Sequence, residues 1–188
     1  MSKLIVTEFV SLDGIMEAPG GEPSYPHSGW VFDFMSPEQE QYKLEETLEA
    51  ESHLLGRVTY EGFAAAWPER EGPFADKINS MPKQVVSSTL SEPLEWENST
   101  LIQGDVAAEI AKLKEGDGGP ILVAGSCSLV HFLLENDLVD ALRLMVFPVL
   151  LGGGKRPFPE SGQKKSFALA DTRTFSSGVS VQTYEPVG

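Results

Sequence analysis

Leu54-Leu55-Gly56-Arg57-Val58-Thr59-Tyr60-Glu61-Gly62-Phe63 reads as a strand that passes through a glycine straight into a helix. The leucines end a short apolar strand over residues 52–56. Gly56 lets the backbone turn sharply. The helix that Arg57 opens must stop before Pro68, whose ring cannot sit inside it. Such a helix leaves its first amides unpaired at the strand end, where they face any anion placed there. Arg57 adds a rigid fork of donors and Thr59 a hydroxyl. Ile121-Leu122-Val123-Ala124-Gly125-Ser126-Cys127-Ser128 has the same form, and a helix carrying Leu129, Val130, Leu133 and Leu134 follows. Two such turns suit the two halves of a dinucleotide. On residue chemistry alone, a turn glycine beside a solvated arginine fits as well, and neither string has the G-x-G-x-x-G form.

Working outward, residues 4–10 form a strand apolar on both faces, ending in the turn Ser11-Leu12-Asp13-Gly14. Residues 17–30, rich in Pro, Gly and Ser, form a long loop and the one candidate lid. Ser36-Pro37-Glu38 starts a helix to about Ala50, with Ser36 as cap and Pro37 in the first turn. Short strands follow at 84–87 and 100–103. Asp105 caps a helix with Val106, Ile110 and Leu113 on one face. A strand at 120–124 leads to the Gly125 turn, and a long apolar strand over 138–149 breaks at Gly152-Gly153-Gly154. Residues 167–175 and 179–184 pair as a terminal hairpin through Ser176-Ser177-Gly178. The pattern predicts an α/β fold: one domain over residues 1–188, with a mostly parallel sheet and an antiparallel hairpin at its edge.

Leu55-Gly56-Arg57-Val58-Thr59-Tyr60-Glu61-Gly62-Phe63, continuing to Trp67-Pro68, resembles the Gly-Arg-x-Thr-Trp/Tyr-Glu segment of the dihydrofolate reductase superfamily. It is most similar to the branch of the RibD C-terminal domain, the reductase half of the riboflavin-synthesis deaminase/reductase. Ser11-Leu12-Asp13-Gly14, Val85-Val86-Ser87-Ser88, residues 121–126 and the run from Leu138 to Gly154 match that branch in order, across nearly the whole chain. The resemblance implies a three-layer dihydrofolate-reductase-like fold and a bound NADPH. It places Gly56, Arg57 and Thr59 on cofactor phosphates and Ser87 and Ser88 at the adenosine ribose or its 2'-phosphate. Gly125, Ser126, Ser128 and Leu129 would line the pyrophosphate turn. An arginine with paired serines near the adenosine end favours NADPH over NADH, because a 2'-phosphate needs charge-assisted donors.

On the substrate side, Asp13 follows the first strand, where the resemblance implies a place near the nicotinamide; a turn aspartate bonded to local backbone fits equally. Asp33 is the second candidate catalytic carboxylate. Trp30, with Phe32, offers an aromatic wall, and Gly153 lies in the glycine loop beside it. Core placement of Trp30 and Phe32, with Asp33 on the surface, fits the same pattern. Hydride transfer to a small pterin- or pyrimidine-like heterocycle needs positioning rather than a protein nucleophile. The riboflavin-pathway step itself, 5-amino-6-(5-phosphoribosylamino)uracil reduction, would require a basic pocket, for which Lys155 and Arg156 are the nearest candidates. A nucleotide-binding dimer without turnover is the alternative of another class.

A formal charge of -14 and a pI near 4.5 repel phosphate backbones, which argues against nucleic acid and anionic membranes as partners. A cofactor phosphate must then be held by local donors. The single cysteine, Cys127, cannot close an internal disulfide, and His27, His53 and His131 are too scattered for a metal site, so no metal and a reducing cytoplasm are expected. Cys127 at a helix start suggests a lowered thiol pKa, although small-residue packing is the expected role. No zinc deaminase signature is present. Met-Ser-Lys leads directly into a strand without a signal-peptide core, and no run of about eighteen apolar residues occurs. The resemblance implies a homodimer paired through sheet edges.

Overall fold

The computed structural model describes residues 1–23, 25–160 and 162–187; Ser24, within the 17–30 loop, lies outside them. The strands are β1 (Leu4–Ser11), β2 (Ser52–Gly56), β3 (Lys83–Val86), β4 (Ser99–Ile102), β5 (Ile121–Val123), β6 (Ala141–Phe147), β7 (Phe167–Thr174) and β8 (Ser180–Pro186). The helices are α1 (Pro37–Glu49), α2 (Arg57–Ala66), α3 (Pro73–Ser80), α4 (Val106–Lys114) and α5 (Cys127–Glu135). One sheet runs β4-β3-β2-β5-β1-β6-β8-β7. The strands from β4 to β6 pair in parallel, and β8 and β7 add antiparallel to β6 as the terminal hairpin.

Alternation along β1 sorts the helices into two layers. Leu4 and Val6 pack with Ile110 of α4 and Leu129, Val130 and Leu133 of α5. Ile5 joins Tyr60 of α2 and Ile78 of α3, and Thr7 reaches Glu46 of α1. This is the expected three-layer arrangement, with the central strands buried on both faces.

Two elements differ from the sequence reading. Helix α3 was not foreseen; Pro73 in its first turn and the apolar positions Ala75 and Ile78, which it buries, account for it. Strand β6 begins at Ala141 because the Leu138 amide closes α5 by bonding Leu133 O and the Asp140 carboxylate accepts from Leu4 N. The 17–30 loop is pinned near both ends: Gly29 N donates to Ala18 O at 2.9 Å, and Trp30 Nε1 donates to Glu17 O at 2.9 Å. A short 3-10 helix, Trp30–Phe34, ends it. Among the described residues no helix is long and apolar enough to cross a membrane.

Candidate active site

Parallel strands β2 and β5 are neighbours, with Ser52 opposite Ile121, so both glycine turns open at the same carboxyl edge of the sheet. The turns touch. Gly56 N donates to Gly125 O at 3.2 Å. A Cβ on Gly56 would stand 2.9 Å from Ser126 N, and one on Gly125 would stand 2.6 Å from Thr59 Oγ1. Gly125 has φ +99°, and its peptide bond to Ser126 is cis. Arg57, Thr59 and Ser126 therefore share one groove.

Helices α2 and α5 both start in that groove, and neither N-cap, Gly56 or Ser126, makes a side-chain cap hydrogen bond. The amides of Arg57, Val58 and Thr59, and of Cys127, Ser128 and Leu129, are thus left without intrahelical acceptors. Away from the groove, Ser36 caps α1 and Asp105 caps α4, while α3 starts uncapped at Gly72; what sets α2 and α5 apart is that their open starts meet. The open helix starts at the groove are what a bound anion would complete.

Beside the groove the sheet splits. Strand β1 pairs with β5 only over Leu4–Val6, but with β6 from Ile5 to Ser11. Residues 7–11 of β1 consequently have no strand partner on the β5 side, level with the Gly125 turn. Unpaired backbone groups on such an edge suit a flat, amide-bearing ring.

The remaining sequence candidates divide. Arg57 is exposed, with a 2.8 Å ion pair to Glu61 one turn along α2, a contact worth about 0.3–0.5 kcal/mol and easily exchanged. Ser128 is exposed, its hydroxyl 3.3 Å from that of Ser126. Leu129 is core, so only its amide faces the groove. Ser88 is exposed at the end of β3. Ser87, by contrast, is 8% exposed, and its hydroxyl accepts from Thr89 N and Leu90 N at 3.1 Å. It shapes the turn with both lone pairs, so only its O–H, 3.3 Å from Thr89 Oγ1, is left to donate.

Trp30 is likewise corrected as a substrate wall. It is 4% exposed and lies edge-on to Phe147, with ring centroids 5.3 Å apart. Burying that ring fixes the Trp30–Phe34 helix beside the end of β6, where Asp33 and Phe32 are exposed. Gly153 is exposed, and its carbonyl accepts from Tyr25 Oη at 2.5 Å.

Asp13 is an anchor. Its carboxylate accepts from Ser11 Oγ at 2.6 Å, Gly152 N at 2.7 Å and Leu151 N at 3.1 Å. The Ser11 hydroxyl, followed by the two amides, pulls its pKa down to about 2. A carboxylate held ionised has no proton to give at neutral pH, which corrects the catalytic reading. Asp13 instead ties the first turn to the 149–156 loop, which also bonds Met16 N through Lys155 O and Asp13 O through the Arg156 guanidinium. Asp13→Asn puts an NH2 group where an amide needs an acceptor. Faster hydrogen exchange at Leu151 and Gly152 is expected; unchanged protection would refute the anchor.

Titratable groups that sequence reasoning missed lie under and across the split. Glu46 of α1, its side chain 1% exposed, accepts from Arg143 of β6 at 3.2 Å. It also bonds Lys43 and, at 3.2 Å, the Thr7 hydroxyl. Burial works against its charge, but Lys43 and Arg143 outweigh burial and lower its pKa. Lys43 Nζ lies 5.3 Å over the Phe9 ring. His53 is buried, and its pKa is pushed down to about 4 by burial, with Lys43 and Lys83 adding to the effect. Glu8 is buried too, and burial pushes its pKa up to about 8 against the charge of Lys43. Cys127 departs from expectation: burial raises its thiol pKa, outweighing any effect of the helix start.

The glycine groove is open. A concavity of about 490 Å³ lies at the far end of α5 against Leu134, Phe158, Lys165 and Phe167, without the uncapped amides that give the groove its chemistry.

The RibD C-terminal domain model matches residues 2–181. The chain belongs to the RibD C-terminal domain family. It is 30% identical to the uncharacterised protein YyaP of Bacillus subtilis (strain 168), over 94% of this chain and 91% of YyaP. Among solved structures, a Shewanella sp. PV-4 protein assigned provisionally to riboflavin biosynthesis superposes with a TM-score of 0.77 at 24% identity, covering both chains completely. Acinetobacter baumannii RibD superposes with a TM-score of 0.68 at 15% identity, over 100% of this chain and 58% of RibD. Dihydrofolate reductase of Enterococcus faecalis, solved with NADP(H), gives 0.60 at 16% identity, over 99% of this chain and 97% of that enzyme. The RibD C-terminal domain family thus shares its architecture with dihydrofolate reductase, as the sequence resemblance implied.

Proposed function

We propose that this chain is an NADPH-dependent oxidoreductase that reduces a small pterin- or pyrimidine-like heterocycle. The observation that carries the reading is the pair of uncapped helix starts meeting across Gly56 and Gly125. Six free amides converge there, and side chains at either glycine would fill the space. Gly56, Arg57, Thr59, Gly125, Ser126, Ser128 and the Leu129 amide would hold the phosphates. Arg57, Ser88 and the Ser87 O–H are the donors for a 2'-phosphate. When bound, the cofactor supplies the hydride. The protein's part is to fix the ring along the unpaired edge of β1 and keep water from it.

The substrate would lie on the α1 side, over Phe9, with Thr7 and Lys43 beneath it and Asp33 and Gly153 on the rim. A phosphorylated substrate, as in the riboflavin-pathway reduction, is favoured by one feature: Lys155 and Arg156 are adjacent and exposed on the loop at this same edge. Strand β7, exposed along nearly its whole length and paired only with β8, offers the edge for a homodimer. A reducing cytoplasm suits the free thiol of Cys127.

Fluorescence titration with NADPH and NADH tests the cofactor. Tighter binding of NADPH is expected, and Arg57→Leu should weaken it about tenfold, which is about 1.4 kcal/mol. Absence of binding to either dinucleotide would overturn the reading. Binding without turnover across pterins, pyrimidines and quinones would favour a nucleotide-binding dimer.

A further inference from the structure

Glu8 lies on the split edge of β1 and has no task in the reaction outlined above. Val6 faces Val123, so Glu8, two residues on, stands level with Gly125 on the side of the sheet that α5 covers. The residue is 7% exposed, and its Oε1 is buried without a hydrogen-bond partner. An acid on this strand could pack its stem and turn its head to water; this one is enclosed. Burial keeps it protonated at neutral pH, with a pKa near 8. It is therefore a carboxylic acid, with one O–H donor beside one acceptor oxygen.

The chemistry of that pair selects its partner. A primary carboxamide carries an N–H donor next to a carbonyl acceptor, so it and a neutral acid can form two hydrogen bonds in one plane. A carboxylate has no donor to return and would set its charge against the carboxamide oxygen. A phosphate has no such donor-acceptor pair, and the groove amides with Arg57 and the groove hydroxyls would hold it without Glu8. Resting on the dinucleotide reading above, we propose that Glu8, in its neutral form, is a cofactor-positioning residue that pairs with the carboxamide of the nicotinamide ring at the split between β1 and β5.

Two titratable groups act on Glu8: Lys43 through the sheet and Cys127 on the first turn of α5; around Cys127 stand His131, Lys155, Glu17 and the Arg156 carbonyl. Of these, Cys127 is the group that could mimic an alkaline effect, so every titration is repeated in Cys127→Ser.

The test compares NADPH with 2'-phospho-ADP-ribose, which carries the same phosphates but no nicotinamide, by calorimetric titration of the full chain from pH 6.5 to 9.5. NADPH affinity should fall about tenfold per pH unit above about pH 8, while 2'-phospho-ADP-ribose affinity holds. Glu8→Gln, which keeps one donor and one acceptor, should abolish the pH dependence. Glu8→Leu should weaken NADPH about tenfold at pH 7, one lost hydrogen-bonded pair, and leave 2'-phospho-ADP-ribose unchanged. A flat NADPH profile, or an alkaline loss shared by both ligands, overturns the proposal while the dinucleotide reading stands. Failure of both ligands to bind at any pH overturns the two together.

Discussion

Gly125→Ala should weaken NADPH binding at least about 100-fold and lower stability by about 3 kcal/mol or more, a sum of two separable causes. The first is backbone strain. Gly125 has φ +99°, where an L side chain is held at a cost of about 1–3 kcal/mol. The second is contact: a Cβ there stands 2.6 Å from Thr59 Oγ1, closer than packed atoms allow, so the ends of β5 and β2 must part or Thr59 must turn away. Both responses disturb the groove, because the α2 and α5 amides converge only while the two turns touch.

Two other glycines isolate the causes. Gly152 has φ +84°, but a Cβ there meets nothing within 4 Å, so Gly152→Ala carries strain alone. Gly56 has φ -77°, while its Cβ would press on Ser126, so Gly56→Ala carries contact alone. Denaturant unfolding and NADPH titration of the three variants should show a stability loss for Gly152→Ala with near-normal affinity, and an affinity loss for the other two. Normal NADPH affinity in Gly125→Ala would mean that the groove is not the phosphate site.

What the sequence disclosed and what it withheld follow from how local each feature is. The starts of α1 and α4 were legible because Ser36 and Asp105 act within one turn of themselves, and Gly56 and Gly125 because a strand–glycine–helix string leaves amides open wherever it occurs. Ser87 looked like a ribose donor because its hydroxyl is polar, but the direction of that hydroxyl is set by the turn it closes. Trp30 could have lined a cleft or filled a core, and only the position of Phe147, more than a hundred residues away in the chain, decides. The groups that sequence missed depend on register. Glu46 meets Arg143 because Thr7 and Arg143 are opposed in the β1–β6 ladder, and Glu8 faces α5 because of its parity with Val6. A helix start acidifies a thiol, but at Cys127 burial reverses the sign, against the lowering effect of Lys155 and Arg156 on the 149–156 loop. Chain-local rules supply the elements and the turns, whereas charges buried by strands distant in sequence appear only once the sheet is assembled.

Those buried charges give the second large expectation, a stability profile level from about pH 4.5 to 6.5 that then falls by about 1 kcal/mol toward pH 8. Glu8 has its folded pKa raised from 4.5 to about 8, so its contribution is complete below the unfolded value and is lost as pH rises through the folded one. His53 has its folded pKa lowered from 6.5 to about 4, so its contribution is present above the unfolded value and is lost as pH falls. Between 4.5 and 6.5 the folded chain binds one proton more at Glu8 and one fewer at His53, and the two slopes of about 1.4 kcal/mol per pH unit cancel. From 6.5 to about 7 Glu8 acts without a counterpart; nearer pH 8 Lys83, whose folded pKa is lowered by burial from 10.5 to about 8, begins to lose its proton in the folded state and offsets part of the fall. Glu8→Gln removes one partner of this balance without changing the shape of the side chain. Its stability should climb from pH 4.5 to 6.5, as His53 alone dictates, and then hold or edge upward toward pH 8 through Lys83, where the wild type declines. Urea midpoints measured at half-unit steps would reveal the exchange of slopes. A wild-type curve still rising between pH 6.5 and 8 would mean that Glu8 is ionised in the folded protein, and the neutral-acid role assigned to it at the cofactor would fall with that result.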